Sequence, residues 1–279
     1  MSVITYRWIV LPLAALFTAL TSAASAQSRG SAPGAGSDDR APVIAEPDFR
    51  VLNLPSTLGL PVHGANFQLT HRFNGNLRQG SFDGNASNLF GLDQGAVVGF
   101  EYRFGIARHL QAAVYRTAIG KTFQFYGKYD AVRQQRSLPV SLSALVSVEG
   151  VDNFQEQHSP AVGLVASRFV GDRMAMYVTP IWVHNTAAPL GIDRDTLLVG
   201  IGGRVRVSSR VYVVAELVPR AGGYRPDQPA YGFGVEKRVG RHLFQVNVNN
   251  GQGTTFGQLA RGGFADSLYL GFNLARKFF

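Results

Sequence analysis

The chain has 279 residues, 27 Lys and Arg against 18 Asp and Glu, a formal charge of +9, and no cysteine. The missing cysteine excludes disulfides, thiolate catalysis and a lipid-modified cysteine, so stability must come from packing and hydrogen bonds. The basic residues are scattered, with no run of five or more. Joined to an export signal, this argues against a nucleic-acid partner and for anionic lipid head groups or anionic solutes.

Residues 1–26 read as that signal. Arg7 supplies the positive start, Trp8 to Leu20 the apolar core, and Ala24-Ser25-Ala26 the small-x-small cleavage site before Gln27. The apolar run is too short for a spanning helix, which needs about 20 residues. Residues 27–61 are rich in Gly, Ser, Pro and Ala without sustained periodicity. They predict a flexible periplasmic lead-in, with room for a short strand around Phe49 to Leu52.

From residue 62 to Phe279 no apolar stretch reaches 18 residues. The chain instead repeats 9–13-residue segments of alternating side chains broken by turn residues. Along 93–105, Ala96, Val98, Phe100, Tyr102 and Phe104 fall on one face, with Val97, Gly99, Glu101 and Arg103 on the other. The same pattern sets Phe123, Phe125 and Tyr129 against Gln124, Tyr126 and Lys128. It sets Leu142, Ala144, Val146 and Val148 against Ser141, Ser143, Ser147 and Glu149. In 196–208, Leu197, Val199, Ile201 and Val205 oppose Gly200, Gly202, Arg204 and Arg206; in 241–250, Phe244, Val246 and Val248 oppose Gln245, Asn247 and Asn249.

About twelve strands follow, near 62–73, 94–105, 109–118, 121–132, 138–149, 159–169, 173–184, 195–207, 210–220, 229–238, 242–250 and 266–279. Their lengths suit tilted strands that cross a bilayer, and the count is even, as single-chain outer-membrane barrels require. The links alternate between tight (106–108, 133–137, 171–172, 208–209, 239–241) and loose (74–93, 150–158, 185–194, 221–228, 251–265), with 118–120 a short exception. Short periplasmic turns and long external loops are the outer-membrane asymmetry. The expected fold is therefore all-β, a closed antiparallel transmembrane β-barrel in an up-and-down meander over 62–279, with the lead-in and C-terminus periplasmic. Arg residues that end several tight turns suit phosphate head groups.

A soluble barrel would point its apolar face inward. Here the opposite face carries Glu101, Arg103, Lys128, Glu149, Arg204, Arg206, Glu216 and Glu236. Burying these in a dry core is prohibitive, so they are the candidate lumen-lining residues, with the apolar face toward lipid. They either pair across a narrow interior and fill it, or line a water-filled path.

Several strings resemble a family of bacterial outer-membrane β-barrel proteins of unknown function. These are Thr70-His71-Arg72-Phe73, Asn88-Leu89-Phe90-Gly91-Leu92-Asp93, Gly99-Phe100-Glu101-Tyr102, Gly127-Lys128-Tyr129, Leu138-Pro139-Val140-Ser141, His242-Leu243-Phe244-Gln245 and Gly271-Phe272-Asn273-Leu274. The resemblance covers most of 62–279 in order. It implies an outer-membrane-type barrel and brings no activity or functional residues.

Catalytic chemistry is thinly represented. His158-Ser159 are adjacent, which in a strand sends them to opposite faces. His184, Asp193 and Asp195 share one loop region, which reads as a solvated loop. The six histidines (His63, His71, His109, His158, His184, His242) show no metal-ligand spacing. Gly200-Ile201-Gly202-Gly203 is followed by no helix and reads as bending and close packing rather than a phosphate cradle. Residues 249–255 fit an external loop.

The sequence thus predicts no enzyme, no cofactor and no metal. Outer-membrane lipid and, through the C-terminal strand, the barrel-assembly machinery are the expected partners. A small channel or transport barrel for small solutes is the first reading; a closed structural or partner-binding barrel is the second, and a hydrolase the third. One detail stays open at the C-terminus. Leu268, Leu270, Phe272 and Leu274 are in phase with Phe278, so either a bulge near Ala275-Arg276 brings Phe279 to the lipid face, or Phe278 is the lipid-facing residue.

Overall fold

A computed structural model describes residues 45–186, 190, 194–225 and 228–279. The expected signal segment, residues 1–26, and residues 27–44 lie outside the described residues. The strands are β1 Ala65–Asn76, β2 Ala96–Ala107, β3 Leu110–Thr117, β4 Phe123–Val132, β5 Ser141–Gly150, β6 Glu156–Val170 and β7 Met174–Val183. They continue as β8 Thr196–Arg206, β9 Val211–Val218, β10 Arg220–Gly223, β11 Ala230–Val239, β12 His242–Asn249 and β13 Tyr269–Lys277. Among the described residues these form one antiparallel sheet of sequence neighbours. β13 returns to β1 in the register Asn66↔Lys277 to Arg72↔Gly271, which closes it.

β9 and β10 both pair with β8, through Ile201↔Leu217 and Arg220↔Leu198. They are one stave interrupted at Pro219, which has no N–H for the ladder but whose carbonyl still accepts from Val199 at 2.8 Å. The barrel therefore has the twelve staves expected, in the expected meander. Two links are shorter than the sequence suggests: β6 already begins at Glu156 and β10 extends β9, which trims the loose links to 151–155 and 224–229.

Side-chain phase follows the sequence reading. Phe100, Tyr102, Phe104, Phe125, Tyr129, Val146, Leu197, Val205, Phe244 and Val246 stand exposed on the outside. In water such a surface would aggregate; against hydrocarbon it is the stabilising face. The tight turns gather at one end, where His109, Gly171 and Gly240 take positive φ (67°, 58° and 59°). Arg108, Arg173, Arg210 and Arg241 are exposed there. The long loop after β1 carries the short helix α1 (Phe82–Ser87), and the loop after β12 carries α2 (Phe256–Arg261).

The C-terminus resolves in favour of Phe278. β13 stays in unbroken register with β12 from Tyr269 to Arg276, so no bulge occurs near Ala275. Phe278 donates its amide to the Ala65 carbonyl at 2.8 Å and lies in phase with the outward Phe272 and Leu274.

Candidate functional site

The inner wall encloses chain, and that chain includes part of the lead-in. Ala45, Phe49, Val51, Leu52, Leu54, Leu58 and Leu60 are buried, as are Glu46, Asp48, Arg50, Asn53, Ser56 and Thr57. The flexible lead-in expected over 27–61 is thus corrected for its second half: from Ala45 the chain is packed inside the barrel. The expected short strand at 49–52 is a tight hairpin bend, with an Arg50↔Pro55 bridge and a Val51 amide to Leu54 carbonyl bond of 2.9 Å. The physical reason is the set of apolar side chains Phe49, Val51, Leu52, Leu54, Leu58 and Leu60, which cannot remain favourably in water. Arg50 among them requires polar partners.

Those partners are wall side chains. Arg50 donates from Nε to Glu101 Oε2 at 3.0 Å and also pairs through Nη2. Glu101 is shared with Arg103, whose Nη2 lies 2.7 Å from Oε1. Arg204 holds Glu236 through two bonds of 2.6 and 2.8 Å and donates to the Arg50 carbonyl at 2.7 Å. Lys128 pairs with Asp130 at 2.9 Å and donates to the Ser56 and Leu58 carbonyls. Glu216 Oε2 accepts the successive amides of Leu52, Asn53 and Leu54 at 3.2, 3.1 and 2.9 Å. Gln245 and Asn273 donate to the Val51 and Leu52 carbonyls at 2.9 and 3.0 Å. Arg72 donates to Asn53 Oδ1 at 2.9 Å. Isolated charges at such depth would cost several kcal/mol each, and this mutual pairing offsets much of that cost. Within the segment, burial pushes the carboxyls of Glu46 and Asp48 above the usual carboxylate range, against the attraction of Lys128 and Arg204 for the first and of Arg204 and Lys277 for the second.

The wall is shaped for its occupant as well as charged for it. A Cβ on Gly200 would collide with the Leu54 side chain, and one on Gly202 would press on Val51. The close packing foreseen for this glycine string is packing against the enclosed segment, residues 45–61, which forms a plug.

From the long-loop end a second segment folds in. Residues 249–255, expected in an external loop, are largely buried, as are Phe256 to Ala260 of α2. Thr255 and Gln258 form a capping box, Glu149 accepts the Gly257 amide at 3.0 Å, and Tyr115 donates to Thr254 Oγ1 at 2.7 Å. Phe256, Leu259 and Ala260 join Leu54 and the inward Leu145, Val165, Ile181, Val183 and Leu198 in one apolar cluster. The two segments meet where Arg50 Nη1 donates to the Thr254 carbonyl at 3.3 Å.

Of the eight candidate lumen residues, Glu101, Arg103, Lys128, Glu149, Arg204, Glu216 and Glu236 are buried and inward. Arg206 sits at the tight-turn rim, partly exposed and paired with Asp172. Wall residues absent from that set are the charged Arg72 and Asp130 and the uncharged Gln111, Tyr115, Gln245 and Asn273, all buried on the inner face.

Of the residues weighed for catalysis, His158 and Ser159 separate, while His184 and Asp195 come together at the surface. His158 is exposed, 3.2 Å from the Phe154 carbonyl, while Ser159 is buried and donates to the Asn185 carbonyl. His184 Nδ1 lies 2.7 Å from Asp195 Oδ1 on the surface, stacked near Trp182; Asp193 lies outside the described residues. Among the described residues no three His, Asp or Glu side chains gather as a metal site.

The geometry defines a class, a transmembrane-type β-barrel with a lumen filled by its own chain. The particular family is also shown: residues 48–278 match the membrane bound beta barrel domain DUF5777, and the chain belongs to that family. The match includes residues 48–61 of the plug. Among solved structures, the NanC porin is similar with a TM-score of 0.50 at 8% identity, covering 77% of this chain and all of that one. The KdgM porin (TM-score 0.48, 9% identity, 77% and 99% covered) and the Acinetobacter baumannii outer membrane protein Omp33 (0.44, 9%, 77% and 98%) also match. At such identities the likeness concerns fold. No curated protein matches the sequence.

Proposed function

We propose that the protein is a bacterial outer-membrane transport barrel for small solutes, without catalytic activity, and that residues 45–61 hold it closed in the state described. The observation that carries this reading is the charged inner wall together with the way it is filled. The plug is held by hydrogen bonds and ion pairs that water and solute groups can replace. The wall also includes Asn66, Gln68 and Gln124, buried amides with no protein hydrogen-bond partner, which are tolerable where water enters. In this reading the tight turns, the lead-in and the C-terminus face the periplasm, and the long loops face outward. Outer-membrane lipid covers the apolar wall, and the assembly machinery engages β13 with Phe278 outward.

Planar-bilayer recording tests it. The native chain should give long closed intervals, and Glu216→Ala, which unbinds the plug tip, should give sustained conductance steps. Silence from both, where a known porin conducts, ends the transport reading. The filled lumen would then favour the second reading, a closed structural or partner-binding barrel.

A further inference from the structure

The wall grips the plug chiefly by its main chain. The successive carbonyls of Arg50, Val51 and Leu52 are taken by Arg204 on β8, Gln245 on β12 and Asn273 on β13. The successive amides of Leu52, Asn53 and Leu54 all converge on Glu216 of β9. Farther along, Lys128 takes the Ser56 and Leu58 carbonyls at 2.9 Å each, and Gln111 adds a bond of 3.1 Å to Leu58. These groups are common to every peptide. A run of donors for carbonyls beside a carboxylate for amides matches the alternating polarity of a polypeptide backbone.

Side chains are read as well: Asn53 by Arg72, Thr57 by Ser167 at 2.6 Å and Leu54 by the apolar cluster, but the most distinctive reading falls at two adjacent positions. The Arg50 guanidinium rests on Glu101 and lies 4.9 Å from the Tyr115 ring centroid. The Phe49 ring lies beneath the Arg103 guanidinium at 5.0 Å, with the Lys277 ammonium 5.3 Å away. An aromatic residue followed by a basic one is thus selected by cation–π contact and by charge.

We infer that the lumen is a peptide-binding site. When residues 45–61 leave it, it accepts short peptides with an aromatic–arginine pair, which makes oligopeptides the solute class of the barrel. This rests on the transport reading above for the word solute, but the binding site stands apart from it. The plug is then an internal competitor that any incoming peptide must displace, and its sequence is a template for what binds.

The test uses the full-length protein in detergent with the substitution Arg50→Gln, which loosens the plug and leaves every wall group intact; Asn53→Ala replaces it if that variant does not fold. The probe is a fluorescently labelled synthetic peptide of residues 45–61, followed by anisotropy. It should bind, and an otherwise identical peptide with Gln at the arginine position should bind at least about tenfold more weakly, the worth of one charge-assisted contact. Adding Glu101→Gln to the wall should abolish that discrimination. In a bilayer the native peptide should block the conducting variant. Absence of binding to a barrel that conducts, or equal binding of both peptides, overturns the inference. Selective binding by a barrel that never conducts upholds the peptide site and removes only the transport reading.

Discussion

Glu216 is where the plug is most exposed to a single change. One carboxylate oxygen, on a residue only 4% exposed, accepts three consecutive amides. Replacing it by Ala leaves three buried N–H groups without an acceptor. Each unmade bond costs about 1–3 kcal/mol, and water entering the vacated space offsets part of this. A net loss of about 3–6 kcal/mol follows, or roughly 10²–10⁴ in the equilibrium between seated and released plug. Glu216→Gln keeps an acceptor oxygen but loses the charge, so about half that loss is expected. Hydrogen exchange read by mass spectrometry over residues 50–58 measures the effect directly. Protection of the Leu52 to Leu54 amides should fall in the order native, Gln, Ala, while β12 and β13 keep theirs. Unchanged protection at 52–54 in a folded Glu216→Ala barrel would refute the reasoning.

Glu101→Gln should destabilise seating more than Arg50→Gln. It strands both Arg50 and Arg103, at about 3–5 kcal/mol, whereas losing Arg50 leaves the Glu101–Arg103 pair intact; equal effects on exchange at 50–58 would contradict this. Gly200→Leu places a side chain where Leu54 lies, so it should release the plug without unfolding the staves, seen as raised conductance with unchanged heat-modifiable gel mobility. Acidification should tighten the plug. Burial raises Glu46 and Asp48 above their free values of 4.5 and 3.8, so the seated form binds more protons. Seating therefore strengthens as pH falls from the buried values toward the free ones, and loses this contribution above the buried values. Glu46→Gln with Asp48→Asn should flatten the pH dependence of open probability. At the C-terminus, Phe278→Ser should lower the yield of inserted barrel more than Phe279→Ser, because Phe278 continues the lipid-facing row; yield in membrane fractions decides it.

The twelve staves, their faces and the sign of the lumen were legible in the sequence because strand periodicity is local. Every second residue meets the same surroundings, and a charged face opposite an apolar one requires a polar interior with lipid outside. Seven of the eight charges placed in the lumen are there for that reason. Arg206 has the right phase, but the stave ends before it reaches depth, and strand ends are set by the neighbouring turn.

What fills the barrel was decided by tertiary structure alone. Nothing within 45–61 announces that Arg50 will meet Glu101, 51 residues away, or that Glu216 will take three of its amides. The Gly, Ser and Pro content of the lead-in as a whole masked the apolar side chains spaced between Phe49 and Leu60 that drive it inward. The inward fold of residues 249–255 and α2 was hidden in the same way, since a loop's polarity is the same whether its polar groups meet water or a polar wall. The gaps at Gly200 and Gly202 were visible as glycines, but only the closed barrel brings Leu54 and Val51 against them.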